Sequence, residues 1–175
     1  MGWKNLKEHF QIGHNVCITS KGICIGSGYV HDLAVIDIKT GAVMANSTFS
    51  GFLRDKYPAL LDATDQAVLQ LINSQDTFAT SLPVYTYDGG EILEKQCEEY
   101  GYPNVTHDGE QMYDNTFFTD KKAAIEVAKE NAAAGIECHT SIIDQLETDL
   151  KKAREHLSRS ELNFQKLEAD LAAYA

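Results

Sequence analysis

The 175-residue sequence lacks an apolar run of the roughly 18 residues that a membrane-spanning helix requires. Its first residues, Met1 to Glu8, also lack the apolar core of a signal peptide. Both absences favour a cytoplasmic location. Because the cytoplasm is reducing, we expect the cysteines to be thiols, and there are four of them: Cys17, Cys24, Cys97 and Cys138.

Glycine-rich phosphate loops are missing as well. Gly26-x-Gly28 and Gly89-Gly90 are not followed by a third spaced glycine, nor by the Lys-Ser/Thr pair that begins a phosphate-binding helix. The sequence therefore argues against a nucleotide-binding enzyme of the standard type.

Basic side chains are scarce in the centre of the chain. Residues 88–120 contain nine acidic side chains and one basic side chain, Lys95, and so carry most of the net charge of −11. Phosphate groups are bound by Lys and Arg, so this composition argues against direct binding of nucleic acid. It permits a basic protein partner, while a solvated acidic face that keeps the protein soluble is the simpler interpretation.

The residue patterns predict an α+β fold: a small antiparallel sheet with packed helices, followed by a long coiled-coil-type helix at the C-terminal end. A short helix is expected in the first ten residues, three or four strands over 15–49, a helix over 58–73 and an edge strand over 82–87. Turns are expected at Ser20-Lys21-Gly22, which would place Cys17 opposite Cys24, at Lys39-Thr40-Gly41 and at Asp88-Gly89-Gly90. Acidic residues near its start favour a further helix over 91–100. We divide the chain into an α+β head domain, residues 1–118, and a helical segment, residues 119–175.

The helical segment carries a seven-residue repeat of apolar side chains, which is the a/d pattern of a coiled coil. One row contains Ile143, Leu150, Leu157, Phe164 and Leu171; the other contains Leu146, Ala153, Ser160, Leu167 and Tyr174. We expect the large members to bury against another helix, in a second copy or in the same chain, with a homodimer favoured. A single helix from about 120 to 174, capped at Thr119-Asp120, is preferred over a hairpin broken near Gly135. The flanking charges do not decide between parallel and antiparallel pairing.

The acidic centre is also rich in tyrosine, a residue that is enriched in protein interfaces. The predicted partner-binding residues are Tyr85, Tyr87, Asp88, Glu91, Glu94, Glu98, Tyr100, Tyr102, Asp108 and Tyr113. The alternative is that these rings cap the core of the sheet.

Two sets of residues with potential chemistry are weaker candidates. His14, Cys17, Cys24 and His31 supply zinc-type donors, but the cysteines lie seven apart inside apolar strands instead of at a knuckle, so no metal or other cofactor is expected. Cys97 with His107 and Asp108 offers a thiol, a base and an orienting group. Acidic neighbours would raise the pKa of that thiol and weaken it as a nucleophile.

Four stretches of running sequence carry a family resemblance: residues 3–10, 23–27, 82–97 (LPVYTYDGGEILEKQC) and 103–109 (PNVTHDG). They resemble a family of small bacteriophage or prophage accessory proteins that has no assigned biochemical activity. The resemblance implies a phage origin and expression in the cytoplasm of a bacterial host. It assigns no catalytic residues.

The leading hypothesis is a non-enzymatic, phage-encoded interaction protein that inhibits a host defence or regulatory complex through an acidic, tyrosine-rich surface. By imitating phosphate spacing, such a surface would mimic nucleic acid and compete with it for the complex. One alternative is a binder that sequesters a small signalling nucleotide, for which Lys21, Arg54 and Lys56 are the candidate donors. Others are an enzyme that uses Cys97 or His107, and a structural component of the virion or lysis cycle.

Overall fold

The computed structural model describes residues 1–173, which contain five α-helices and six β-strands. The helices are α1 (Trp3–His9), α2 (Ser50–Lys56), α3 (Pro58–Leu61), α4 (Asp65–Asn73) and α5 (Lys121–Ala173). The strands are β1 (Asn15–Thr19), β2 (Gly22–Gly26), β3 (Ala34–Ile36), β4 (Val43–Ala45), β5 (Leu82–Asp88) and β6 (Glu91–Cys97). The chain divides into two compact units, Met1–Ala128 and Lys129–Ala175. The mixed α+β class is confirmed.

Strands β1 to β4 form one antiparallel meander in the order β1-β2-β3-β4. Glycine allows the chain to reverse between strands, because Gly22 and Gly41 adopt φ values of +129° and +79° that other residues avoid. Cys17 lies directly opposite Cys24 across the first hairpin. The predicted meander, its two glycine turns and this cross-strand cysteine pair are confirmed.

The main core lies between this sheet and helices α1 to α4. The strand side chains on one face of the sheet, among them Ile23, Ile25 and Ile36, pack with apolar residues of the helices. Its fully buried members include Leu6, Val16, Ile23, Ile25, Ile36, Leu53, Leu60 and Val68. Helix α1 is fixed beside α4 by a hydrogen bond from the Gly2 N–H to the Ile72 carbonyl, at 2.7 Å.

The helical stretch after the meander is more broken than predicted. Residues 58–73 form two helices, because the Thr64 side chain accepts a hydrogen bond from the Ala67 N–H and caps a new helix. The fourth strand ends at Ala45, and the side chain of Asn46 then caps a 3₁₀ turn that leads into α2. The sequence patterns missed α2.

The predicted helix over residues 91–100 is wrong. Strand β6 pairs with β5 along its whole length, from Asp88 opposite Glu91 to Leu82 opposite Cys97. The two-residue Gly89-Gly90 connection brings the strands together, and the ladder outweighs the intrinsic helix propensity of Glu, Lys and Gln. The predicted strand over 82–87 and the turn at Gly89-Gly90 are confirmed.

Residues 104–112, named here the linking loop, hydrogen-bond to three separate elements. The His107 N–H bonds to the Gln96 carbonyl in β6 at 2.7 Å, and the Gly109 carbonyl accepts from the Ile18 N–H of β1 at 2.7 Å. The Trp3 indole of α1 donates to the His107 carbonyl at 3.1 Å. Thr106, fully buried, closes the loop on itself through its backbone bond to Glu110. The PNVTHDG stretch therefore ties the β5–β6 hairpin to the four-stranded sheet.

Helix α5 runs without a break through Gly135, so the predicted continuous helix is confirmed and the hairpin alternative is wrong. The Asp120 carboxylate accepts from the Ala123 N–H at 3.2 Å and caps the first turn, as predicted. Tyr174, assigned to the coiled-coil row, lies outside the described residues. Within residues 1–173, no helix combines the length and the apolar character needed to cross a membrane.

Candidate interaction surface

A cleft of about 630 Å³ opens where the β1–β2 hairpin, strand β5 and the end of the linking loop meet. Cys17 and Thr19 contribute from β1, Tyr87 from β5, and Glu110 and Tyr113 from the loop side. The hairpin turn and the β2–β3 connection complete the rim with Lys21, His31 and Asp32. The cleft combines aromatic rings with several polar groups, which is the composition of a binding site.

Two tyrosines stack beside this cleft. The rings of Tyr102 and Tyr113 lie 5.7 Å apart, with an angle of 18° between their planes. The Tyr102 hydroxyl sits so close to Gly28 that a Cβ at that position would lie 2.6 Å from the hydroxyl oxygen. The absence of a side chain at Gly28 therefore lets the Tyr102 ring reach this position.

A third tyrosine projects from the β2–β3 connection. Tyr29 is 99% exposed, more than any other large hydrophobic side chain described for residues 1–173. The backbone beneath it is fixed, because the Ser27 N–H bonds to the Val30 carbonyl at 2.6 Å and the Ser27 hydroxyl accepts from the Val30 N–H at 3.2 Å. A large ring is thus presented to solvent on an ordered turn.

These rings belong to one continuous surface. A shallow hollow of about 470 Å³ is lined by His14, Tyr29 and Tyr102. Tyr102 and Tyr113 together line a small adjoining pocket, and Tyr113 also lines the main cleft beside Tyr87. We name Tyr29, Tyr87, Tyr102 and Tyr113 the tyrosine face.

Several acidic side chains of the central segment are engaged in ion pairs within the protein. Lys95 lies 2.7 Å from Asp108 and also contacts the Glu110 carboxylate. Burial would raise the pKa of Asp108, but the hydrogen bonds from Lys95 and Thr106 hold that pKa below its usual value. Glu98 accepts from Lys4 at 2.7 Å; burial opposes its ionisation, yet the bonds from Lys4 and the Ala79 N–H lower its pKa.

The structure places the predicted partner-binding residues on several elements. Tyr85 and Glu94 lie opposite each other on one side of the β5–β6 hairpin. Asp88 and Glu91 lie opposite each other at the exposed tip of this hairpin. Glu98 and Asp108 form the ion pairs with Lys4 and Lys95 described above. Tyr100 is exposed on the turn after β6. Tyr87, Tyr102 and Tyr113 are brought together on the tyrosine face.

The sequence reasoning missed Tyr29. The available signal was a large aromatic residue directly after Gly26-Ser27-Gly28, a break between two strands where no core position exists.

Cys97 and His107, the candidate nucleophile and base, contact different groups in the structure. The buried Cys97 thiol lies 3.6 Å from the Leu82 carbonyl, and burial raises its pKa. The His107 ring stacks on Phe78 at 3.7 Å, and its Nε2 lies 3.1 Å from the Thr80 carbonyl. Asp108 pairs with Lys95. The acidic helix that was expected to carry Cys97 is strand β6.

The zinc-type donors are likewise distributed among other contacts. His14 Nδ1 lies 2.5 Å from the Tyr57 hydroxyl. Cys24 Sγ lies 3.2 Å from the Thr19 hydroxyl, and burial together with Cys24 raises the pKa of Cys17 to about 11. Among residues 1–173, no three His, Cys, Asp or Glu side chains are arranged to hold a metal ion.

Two of the three basic residues suggested for a nucleotide, Lys21 and Arg54, are paired with carboxylates. Lys21 lines the cleft and pairs with Asp32 at 3.1 Å. Arg54 lies in α2 and bonds to the Asp62 carboxylate. Both donors therefore meet a carboxylate within the protein.

The apolar row of α5 is exposed along its length in the single chain. The seven predicted oligomerisation residues are between 51% and 74% exposed: Ile143, Leu146, Leu150, Leu157, Phe164, Leu167 and Leu171. An exposed apolar row of this size is typical of an interaction surface.

No family model, curated protein or solved structure matches this chain. The resemblance to phage accessory proteins accordingly stays an expectation, and a function has to be argued from the residues themselves.

Proposed function

We propose that the protein is a non-enzymatic binding protein that docks a partner protein on its tyrosine face. The observation that carries the proposal is the full exposure of Tyr29 on an ordered turn, where it lines a hollow together with Tyr102 of the Tyr102–Tyr113 stack. An exposed ring on a fixed backbone gains apolar contact on binding and loses little conformational freedom.

Tyrosine is suited to this use because it combines a large flat apolar surface with a hydroxyl that forms hydrogen bonds. Such residues dominate the energy of many protein interfaces when they enter pockets of the partner. The cleft beside Tyr87 and Tyr113 offers the complementary arrangement, a concave site for a side chain of the partner.

Exposed acidic side chains would contribute to binding through long-range electrostatic attraction of the partner. Asp88, Glu91 and Glu94 are exposed at or near the tip of the β5–β6 hairpin, and the chain carries a net charge of −11. Charges of one sign accelerate encounter with a partner of the opposite sign, and salt weakens this effect. The preferred partner is therefore a protein with a basic surface.

The resemblance extends this proposal to a phage setting. The partner would be a defence or regulatory complex of the bacterial host whose basic surface binds nucleic acid. Occupying that surface would inhibit the complex without any chemical step, so no catalytic residue and no cofactor is required.

The test begins with capture of the partner. The tagged chain is expressed in a bacterial host, retained proteins are identified by mass spectrometry, and the purified partner is titrated by calorimetry. We expect Tyr29→Ala combined with Tyr102→Ala to weaken binding at least about a hundredfold, the loss of two interface anchors. Met44→Ala is the matched control, since Met44 is also half exposed but lies on β4, at the opposite edge of the sheet from β1.

Equal retention of the same partner by wild-type protein and the double tyrosine variant would refute the tyrosine face. Salt separates the two contributions. If tyrosine contacts dominate, 0.5 M salt slows association and leaves most of the affinity. If nucleic-acid mimicry dominates, affinity falls steeply with salt concentration.

A small-molecule binder is the second candidate, favoured by the volume of the cleft, which suits a compact ligand. Its charged lining contains Lys21 against Asp32 and Glu110, so a neutral or cationic ligand fits it better than a nucleotide phosphate. A thermal-shift screen that includes cyclic and ADP-ribose-type nucleotides decides this. No shift with any compound would remove the candidate.

A further inference from the structure

We propose that α5 pairs with α5 of a second copy as a parallel, in-register, two-stranded coiled coil over residues 136–171. This interaction is separate from the tyrosine face and does not depend on it. It is supported by three observations on α5: an unpartnered apolar row, the residue types along that row, and the charges beside it.

The row follows the heptad repeat through an unbroken helix. Its a positions are Ile136, Ile143, Leu150, Leu157, Phe164 and Leu171, and its d positions are His139, Leu146, Ala153, Ser160 and Leu167. Ile136 is 69% exposed, and the large members after it are at least half exposed. A seven-residue period keeps such a row facing one partner helix along its length.

The residue types favour two strands. Ile136 and Ile143 place β-branched side chains at a, and Leu146 follows at d; this combination packs best in parallel dimers. Ala153 and Ser160 at the next two d positions are small, so the two helices are able to approach closely there.

The signs of the flanking charges taken together leave the orientation open, but the unbroken helix fixes which g and e positions meet, and those individual pairs favour the parallel arrangement. In a parallel pair, each g position faces the e position of the next heptad in the other helix. Asp149 then faces Arg154 of the second copy, and His156 faces Glu161 of the second copy, each twice by symmetry. No like charges meet in these two layers.

An antiparallel pair lacks this match. There, e positions face e positions, and from residue 147 onward the e positions are Glu147, Arg154, Glu161 and Glu168. Three acids share one side with a single arginine, so no alignment pairs all of them with an opposite charge. Asp149 does have a cation on its own helix, Lys152 at 3.6 Å, but Lys152 occupies a c position away from the row.

Cysteine cross-linking tests orientation and register directly. In a Cys138→Ser background, Ala153→Cys and Ser160→Cys are made singly in the full chain and oxidised. In a parallel, in-register pair both residues face their own copies, so we expect both variants to form disulfide-linked dimers. Ser158→Cys, at an outward-facing b position, is the matched control and stays uncross-linked.

Charge reversal tests the pairing of Asp149 with Arg154. Dimer dissociation is followed by analytical ultracentrifugation, in which the wild-type chain is expected to sediment as a dimer. Arg154→Asp places the new carboxylate opposite Asp149 of the other copy, at two positions related by symmetry. This change should weaken the dimer about tenfold. Adding Asp149→Arg restores opposite charges and should recover most of that loss.

The outcomes separate clearly. Cross-linking of at most one of the two d-position variants would overturn the parallel register, since an antiparallel pair brings only its central residue onto itself. A monomer at all concentrations, or a trimer or tetramer, would overturn the two-stranded pair. Failure of the second charge change to rescue the first would overturn the assignment of the facing residues.

Discussion

The indole N–H of Trp3 donates a hydrogen bond at 3.1 Å to the backbone carbonyl of His107, a residue 104 positions further along the chain. Trp3 is buried and lies in the first helix, whereas His107 belongs to the linking loop. The bond therefore joins the N-terminal helix to the loop that holds the two sheets together.

Trp3→Phe should lower the free energy of unfolding by about 1–3 kcal/mol. The smaller ring removes the donor, leaves the His107 carbonyl unpaired and opens space in the core. Urea denaturation followed by circular dichroism measures the change. Tyr29→Ala, which removes a fully exposed ring, should change the stability by less than about 0.5 kcal/mol. If Trp3→Phe and Tyr29→Ala changed the free energy of unfolding equally, the indole hydrogen bond would not contribute to stability.

Gly109→Ala should be more damaging, with a loss of at least about 2 kcal/mol. Gly109 adopts a φ of +89°, and a Cβ there would lie 2.5 Å from two side-chain carbons of Ile18. The clash displaces the Gly109 carbonyl from the Ile18 N–H, so that amide should also exchange faster with solvent.

Gly89→Ala is the matched control for this substitution. Gly89 also has a positive φ, +54°, but a Cβ there meets nothing within 4 Å. Gly89→Ala should lower the free energy of unfolding by about 1 kcal/mol, the conformational penalty alone. If both variants lose the same stability, the contact with Ile18 does not fix the linking loop.

Local sequence patterns predicted those elements whose stability is local. The meander followed from β-branched strands with glycine at the turns, and α5 followed from its heptads. Acidic residues near the start of the segment favour a helix over 91–100, and only the non-local ladder with β5 makes Glu91–Cys97 a strand. The linking loop has no local pattern at all, because its bonds reach distant residues such as Trp3.

The same distinction explains the candidate site. Three tyrosines of the tyrosine face were selected by composition, but their grouping depends on how the loops fold. Composition also gives no sign that Glu98 pairs with Lys4, because the two residues lie 94 positions apart in the chain. The exposure of Tyr29 depends on how the turn folds, so hydrophobic periodicity in the sequence does not predict it.

Because of the Lys4–Glu98 ion pair, we expect the free energy of unfolding to decrease in acid. Because the pKa of Glu98 in the folded protein lies below the ordinary value of 4.5, its stabilising contribution is complete above pH 4.5 and is lost as pH falls through the lowered folded-state value. Glu98→Gln should therefore be less stable than wild type at pH 7, and the difference should shrink toward pH 3. Denaturation curves at a series of pH values measure this; a difference that stays constant with pH would contradict the role of the Lys4–Glu98 pair.

Thiol reactivity should distinguish the cysteines. Cys138 is exposed on α5, whereas burial and Cys24 raise the pKa of Cys17 to about 11, so little of the reactive thiolate exists at neutral pH. An aromatic disulfide reagent at pH 7 should modify one thiol rapidly, and Cys138→Ser should abolish that phase. Raising the pH by one unit should then accelerate modification of Cys17 about tenfold. Rapid modification of any thiol in the Cys138→Ser variant at pH 7 would contradict the burial of the Cys17–Cys24 pair.

Gly28→Ala should disturb the tyrosine face without unfolding the protein. The new Cβ would lie 2.6 Å from the Tyr102 hydroxyl, and the half-exposed ring is free to move outward, away from Tyr113. We expect the nuclear Overhauser contacts between the two rings to disappear and the affinity for a captured partner to fall about three- to tenfold, the value of one aromatic pair. Gly51→Ala is the control: a Cβ there meets nothing within 4 Å, and alanine favours helix α2, so stability should rise while binding stays unchanged. Loss of the ring contacts with full retention of affinity would show that the Tyr102–Tyr113 stack is not part of the docking surface.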